Sequence, residues 1–432
     1  MFLSLMMITN VQNINTDPRE IELYIHIPFC VKKCDYCDFL SGPYDEQVQK
    51  EYTLALCQEI IWQSKRVFGR VTSIYIGGGT PSWLPVKLME NIMDTVRKNF
   101  DLDPLAEVTI EANPGTVTRE AANIYRSIGI NRISVGLQSA HNDELELLGR
   151  IHTYDRFLRT YEILRQAGFE NINVDLMTGL PGQTPGKLIE TIRRVSALRP
   201  EHISSYALII EEGTPFYSRY RADDIRQKNG QPTMELPNED QAYELMKRAQ
   251  QELIAHGFCQ YEISNYSKPG KECRHNIGYW TRKTYVGMGA GAASLIAPAC
   301  LVPECEGEEA GGMGLEQRIS NIRYIYDYIE EASHLMAIDP QSDYKDVPIY
   351  DAVQTVTRKG AMEEFMFLGL RQTAGITAEA FYQAFETPIE RVYQAPLQQL
   401  KQEGLLETRE GRIYLTEQGL DLSNYALSKF LF

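Results

Sequence analysis

Cys30-Val31-Lys32-Lys33-Cys34-Asp35-Tyr36-Cys37 sets three cysteines at C-x3-C-x2-C, directly after the apolar run 23–29. Three thiolates from one tight loop can hold three irons of a cubane iron–sulfur cluster. A complete cluster ordinarily takes four cysteines, so one iron is left for another ligand. A zinc site and three unpaired thiols are the blander readings. Zinc sites bring two ligand pairs, or cysteines with a nearby histidine. No second C-x2-C and no H-x3-H occurs in this chain.

Outward from that loop the pattern alternates. Strand candidates are 23–27, 73–76, 108–111, 132–136, 173–176 and 203–208, and amphipathic stretches lie between them at 51–63, 87–96, 119–127, 157–166 and 187–198. Alternation of this kind predicts an α/β fold with a parallel sheet and crossover helices. Six units predict a partial barrel, not the closed eight-stranded form. Ligands of parallel α/β folds sit at the carboxyl ends of the strands. The cysteines follow strand one, Gly77-Gly78-Gly79-Thr80-Pro81 follows strand two, and Glu111 ends strand three. Gln138 follows strand four, Asp175 lies near the end of strand five, and Tyr206 and Ala207 close strand six. All six loops are expected to face one opening.

The rest of the chain divides less sharply. Residues 1–20 read as a flexible leader, 21–215 as the (β/α)6 core, 216–350 as a connecting region and 351–432 as a C-terminal domain. Within the connecting region, 221–238 reads as a polar surface loop, 239–256 as a helix, 261–266 as a strand and 302–317 as an exposed insertion. The C-terminal domain reads as mostly helical and winged-helix-like, with a helix at 397–405 and a hairpin at 406–415. The chain has 432 residues, 43% of them apolar, and a formal charge of −15. That charge offers no basic stripe to nucleic acid, so none is expected as a partner. It also disfavours electrostatic docking on anionic lipid. The apolar start, 1–8, lacks the flanks of a signal peptide, and no run of 18 apolar residues predicts a transmembrane segment. The five remaining cysteines are scattered and form no disulfide framework, which fits a reducing cytoplasm.

The cysteine loop after a strand resembles that of the radical S-adenosylmethionine (SAM) superfamily. Tyr24-Ile25-His26-Ile27-Pro28-Phe29-Cys30 and Gly77-Gly78-Gly79-Thr80-Pro81 are similar to one of its branches. That branch holds the oxygen-independent coproporphyrinogen dehydrogenases and the HemW-type heme chaperones. The resemblance runs from about residue 21 to the C-terminus. It implies the radical SAM partial barrel, a [4Fe–4S] cluster on Cys30, Cys34 and Cys37, and SAM chelating the open iron. It implies that Gly78, Gly79 and Thr80 meet the methionyl amine, where glycine lets backbone approach closely; a plain turn is the alternative. Glu111, Gln138 and Arg150 match further SAM contacts, and Asp175 the position that receives the ribose hydroxyls. Tyr24 and Tyr36 flank the cluster loop, near the adenine or as packing residues. Ala207 is placed with the cofactor-binding set.

Two features split the branch. The dehydrogenases carry a further cysteine two positions past the third ligand, where this chain has Phe39. They also carry a longer arm before the cysteines than residues 1–29. His275-Asn276-Ile277-Gly278-Tyr279-Trp280 instead matches the H-N-x-x-Y-W word of the heme chaperones. Imidazole is a common axial heme ligand, so the resemblance makes His275 a candidate; a satisfied histidine is the alternative. The function it implies is a chaperone that binds heme, cluster and SAM, with heme passed to an acceptor protein. A membrane-bound respiratory protein is one candidate acceptor. The alternative is oxidative decarboxylation of coproporphyrinogen III to protoporphyrinogen IX in porphyrin biosynthesis. No residue is assigned a catalytic role.

Overall fold

A computed structural model describes residues 19–301 and 315–431. Most of the expected leader and most of the expected insertion lie outside the described residues. The core repeats strand and helix: β1 (Glu20–Ile27), α1 (Glu46–Gln63), β2 (Arg70–Gly78), α2 (Val86–Asn99), β3 (Asp101–Ala112), α3 (Arg119–Ser127) and β4 (Arg132–Gln138). It continues through α4 (Asn142–Leu147), α5 (Tyr154–Gln166), β5 (Ile172–Thr178), α6 (Pro185–Ser196) and β6 (His202–Ala207). Side-chain caps fix several helix starts. Asp45, Thr118, Thr153 and Thr184 each accept a backbone N–H from the first turn. Each cap contributes about 1 kcal/mol.

β1 to β6 pair in parallel and in sequence order. Their side chains alternate with a meaning beyond burial. Ile21, Leu23, Ile25 and Ile27 of β1 join the hydrophobic core with the helices. The intervening Glu22, Tyr24 and His26 stand opposite Ser73, Tyr75 and Gly77 of β2. The same holds along the sheet, where Glu111 is opposite Ser134 and Gly136 opposite Asp175. The concave face of the partial barrel is therefore polar, and each buried group on it needs a partner.

The stretch expected as a connector is built into the same sheet. α7 (Pro215–Lys228), α8 (Glu239–Ala255), β7 (Cys259–Gln260), β8 (Asn265–Ser267), α9 (Arg274–Trp280), β9 (Tyr285–Met288), β10 (Ala293–Ile296), β11 (Gln317–Asn321), α10 (Ile325–His334) and β12 (Tyr350–Thr355) follow. β8 and β7 extend the sheet beyond β6, and β9 to β12 extend it beyond β1, giving twelve strands in the order 12-11-10-9-1-2-3-4-5-6-8-7. Two local expectations change. Residues 221–228 belong to α7 and not to a loop. The alternation at 261–266 reflects a bend around Glu262, which is fully buried and accepts from Ser264 N at 2.7 Å and Asn265 Nδ2 at 2.6 Å.

After β12 come α11 (Arg358–Gly369), β13 (Ile376–Thr377), α12 (Ala378–Phe385), α13 (Ile389–Gln402), β14 (Leu406–Arg409), β15 (Arg412–Leu415), α14 (Glu417–Asp421) and α15 (Ser423–Ser428). These helices and the hairpin share a separate hydrophobic core that includes Met366, Phe381, Leu400 and Phe430. Glu364 of α11 accepts from both Arg282 and Arg318 and so ties this unit to the barrel. No helix among the described residues is long and apolar enough to cross a membrane.

Candidate cluster and cofactor site

The cysteine loop leaves β1 and is pinned at its base, where Cys30 N donates to Gly42 O at 2.9 Å and Gly42 N to Pro28 O at 3.0 Å. Farther along, Asp35 N donates to Leu148 O at 3.2 Å. The glycine triplet runs beside it. A Cβ on Gly79 would stand 2.8 Å from Phe29 O and 3.0 Å from Cys30 Sγ, so only glycine fits. Gly78, at φ +114, would drive a Cβ into the His26 ring at 2.6 Å. Cys30 Sγ lies 3.4 Å from Thr80 Oγ1. Cys30, Cys34 and Cys37 are unpaired thiols of intermediate exposure, and burial pushes Cys30 and Cys37 up from the ordinary thiol value. No group of three His, Cys, Asp or Glu among the described residues converges as it would on one ion.

Arg150 closes the other side. Its guanidinium donates to Asn113 Oδ1, to Gly136 O and, at 3.4 Å, to Cys34 Sγ. Asn113 Nδ2 in turn donates to Thr80 Oγ1 at 2.7 Å. Arg150 Nε is buried without a partner, an orphaned donor of the kind that a ligand satisfies. The turn before it needs Gly149, at φ +71, because a Cβ there would sit 2.5 Å from Asp35 Oδ1. Cys34, Thr80, Asn113 and Arg150 line a recess of about 30 Å³. Glu111 accepts from Tyr75 OH at 2.8 Å and from Gly78 N at 3.0 Å. Burial pushes its carboxyl up to about 7.

Asp175 stands on β5, where its oxygens accept from Ser134 Oγ at 3.0 Å and Asn173 Nδ2 at 2.7 Å. Burial raises its carboxyl. Gln138 ends β4 at φ +77, a left-handed conformation that a non-glycine residue holds only where its surroundings impose it. Ala207 is exposed at the end of β6. Tyr24 bonds His26 Nδ1 at 2.9 Å, and Tyr36 packs edge-on to Phe216 with ring centroids 6.3 Å apart. The structure thus joins Cys30, Gly78, Gly79, Thr80, Glu111 and Arg150 at neighbouring strand ends. Sequence reasoning missed Asn113, which links Thr80 to Arg150, and Ser134 and Asn173, which hold Asp175. Polar residues in step with Asp175 on otherwise apolar strands were the available signal.

His275 lies elsewhere. α9 plugs the concave face, and His275 is 1% exposed. Its Nδ1 is bonded to Ser73 Oγ at 2.8 Å and its Nε2 to Tyr279 OH at 3.0 Å, with the ring stacked on Tyr75. Burial drives the imidazole well down and the carboxyl of the neighbouring Glu22, 3.6 Å away, well up, which disfavours the charged form of each. With both ring nitrogens engaged, this geometry offers no open axial position. That burial against β2 could not be read from the motif. Glu22 also explains Gly278, where a Cβ would lie 2.1 Å from the carboxylate. His275→Ala should lower stability by about 2–4 kcal/mol through lost packing and two lost hydrogen bonds, read by thermal unfolding.

The last two residues of the motif, Tyr279 and Trp280, face a cavity of about 350 Å³, between β1, β9, β10 and α11. Tyr24, Tyr279, Trp280, Tyr285 and Phe367 wall it, with Arg318 at one side. Trp280 Nε1 is buried without a partner.

The Radical SAM superfamily profile matches residues 24–195, and the HemN C-terminal domain profile matches residues 356–422. The heme chaperone HemW of Bacillus subtilis (strain 168) is 36% identical over 412 residues, 94% of this chain and 98% of that protein. Heme chaperone HemW of Lactococcus lactis is 33% identical, over 94% of this chain and 96% of that one. The Escherichia coli (strain K12) protein of the same name is 40% identical over 63% of this chain and 69% of its own. Among solved structures, coproporphyrinogen III oxidase (HemN) from Escherichia coli superposes with a TM-score of 0.76. It covers 97% of this chain and 92% of its own at 21% identity, a likeness of fold.

Proposed function

Since this chain belongs to the radical SAM family of HemW heme chaperones, we propose that it binds heme, a [4Fe–4S] cluster and SAM, and passes heme to an acceptor protein. The observation that carries the heme reading is the aromatic cavity beside α9. A flat macrocycle with carboxylate arms calls for aromatic walls and a cation at one edge. Tyr279, Trp280 and Phe367 supply the walls and Arg318 the cation, although Arg318 already pairs with Glu364 at 2.8 Å. Heme packs on the Tyr279–Trp280 side, and His275 acts from behind by holding α9 on β2.

Cys30, Cys34 and Cys37 hold the cluster. When bound, a [4Fe–4S] cluster offers one iron without a cysteine ligand to the amine and carboxylate of SAM. Arg150 then receives the methionyl carboxylate, Glu111 the ammonium and Asp175 the ribose. Phe39, 65% exposed at the lip of the loop, stands where the dehydrogenases carry their additional cysteine and favours the chaperone reading over coproporphyrinogen decarboxylation.

The test is a hemin titration of the anaerobically reconstituted protein. Trp280→Ala should weaken hemin by about tenfold or more, from the loss of one aromatic wall worth ~1.5–3 kcal/mol. Leu295→Trp should block the cavity. His275→Ala should leave the Soret position unchanged. Unaltered affinity in both cavity variants removes heme from this cavity, and a shifted Soret band in His275→Ala returns the ligand role to that histidine.

A further inference from the structure

α7 and the chain that returns from it pack against one side of the cysteine loop, at Asp35 and Tyr36, while Val31 and Phe39 stay exposed on the other. Thr214 caps the helix by accepting from Tyr217 N at 3.1 Å. The next residue but one enters the candidate site directly, since Phe216 N donates to Asp35 O at 2.9 Å, between Cys34 and Cys37. Phe216 and Tyr220, each 1% exposed, pack with Leu148, Met177 and Leu180. That cluster is separate from the barrel core, and Tyr36 leans on it. It draws together the cysteine loop and the loops after β4 and β5.

A single carboxylate shapes the return of the chain. Asp223 accepts from Met234 N at 3.0 Å, Glu235 N at 2.6 Å and Leu236 N at 3.1 Å. These bonds fold residues 229–236 back along α7. Leu236 thereby reaches the Phe216 cluster, and Glu235 O accepts from Gly182 N at 3.0 Å, beyond β5. Asp224, one residue on, serves a surface pair with Lys228 instead.

We propose that residues 211–238 are a cap on the Tyr36 side of the cysteine loop that limits access to its thiols from that side, with Phe216 and Tyr36 as its seal and Asp223 as its positioning residue. The proposal rests on the reading of the cysteine loop as the cluster site. Oxidants and chelators reach a cluster through solvent, and a surface element packed beside it sets that access by its opening equilibrium. Asp223→Asn keeps one acceptor oxygen and loses the charge that three N–H groups and Arg226 share, so the opening equilibrium should rise about tenfold.

The experiment compares wild type, Asp223→Asn, Phe216→Ala and Asp224→Asn. In cluster-free protein, maleimide alkylation of Cys30, Cys34 and Cys37 is timed by peptide mass, with Cys57 and Cys259 as internal references. Loop-cysteine rates should rise about tenfold in Asp223→Asn and Phe216→Ala, with reference rates and Asp224→Asn unchanged. In reconstituted protein, loss of iron–sulfur absorbance to an added iron chelator should accelerate in the same two variants. Equal loop-cysteine rates in wild type and Phe216→Ala overturn the cap. So does a rise shared by the reference cysteines, which marks global loosening. Failure of the wild type to assemble a cluster defeats the cluster reading alone, because the alkylation arm still judges the cap.

Discussion

Alanine at Cys34 is expected to abolish the iron–sulfur absorbance of the reconstituted protein and to reduce its iron and sulfide to background. Cys30→Ala and Cys37→Ala should do the same. The site has three thiols and no fourth cysteine close by in sequence to take over a corner; the next, Cys57, lies on α1 with its thiol 3.4 Å from Thr95 Oγ1. A cubane with two protein ligands exposes two irons and is readily lost. The rest of the fold should be indifferent. The loop is held by backbone bonds at Gly42 and Leu148 that do not involve a thiol. Cys57→Ala and Cys259→Ala therefore serve as matched controls with full cluster content. The measurements are iron and sulfide analysis and the visible spectrum. A Cys34→Ala protein with full content would refute the ligand set.

The position of these thiols was legible because a parallel sheet puts its loops at one end. A cysteine word after strand one, a glycine triplet after strand two and a carboxylate closing strand three can then only converge. Three things were not legible. α7 carries charged residues nearly all round, so Arg221, Asp223 and Asp224 read as loop; its few aromatic residues are spent on the cysteine loop and not on the barrel. β7 to β11 are two to five residues long, too short for a period of two to register. The partners of His275 stayed hidden because a motif shows which side chains are present but not which way they face. Its partner Ser73 is 202 residues away, and only the folded sheet brings them together. The same limit hid Asn113, whose role depends on Thr80 after β2 and Arg150 after α4.

Alanine at Arg150 or Asp175 is expected to weaken SAM about ten- to a hundredfold while the cluster is retained. Each loses a charge-assisted hydrogen bond of about 1.5–3 kcal/mol, at ~1.4 kcal/mol per decade. The two act at different points of the site, Arg150 beside Cys34 and Asp175 between Ser134 and Asn173, so their effects should add. Glu111 adds a pH signature. Burial pushes its carboxyl up to about 7, and the ionised form binds an ammonium far better than the neutral acid, because the bond is then charge-assisted. Below that value the proton must be displaced before SAM binds. Affinity should therefore rise about tenfold between pH 6 and pH 8, following one proton per site. Glu111→Gln should bind weakly and lose that pH dependence, because the amide does not titrate. Isothermal calorimetry at three pH values on wild type, Arg150→Ala, Asp175→Ala and Glu111→Gln separates these terms. Unchanged affinity in both alanine variants would refute the pocket, and a flat wild-type profile would remove Glu111 from the ammonium contact while leaving Arg150 and Asp175 in place.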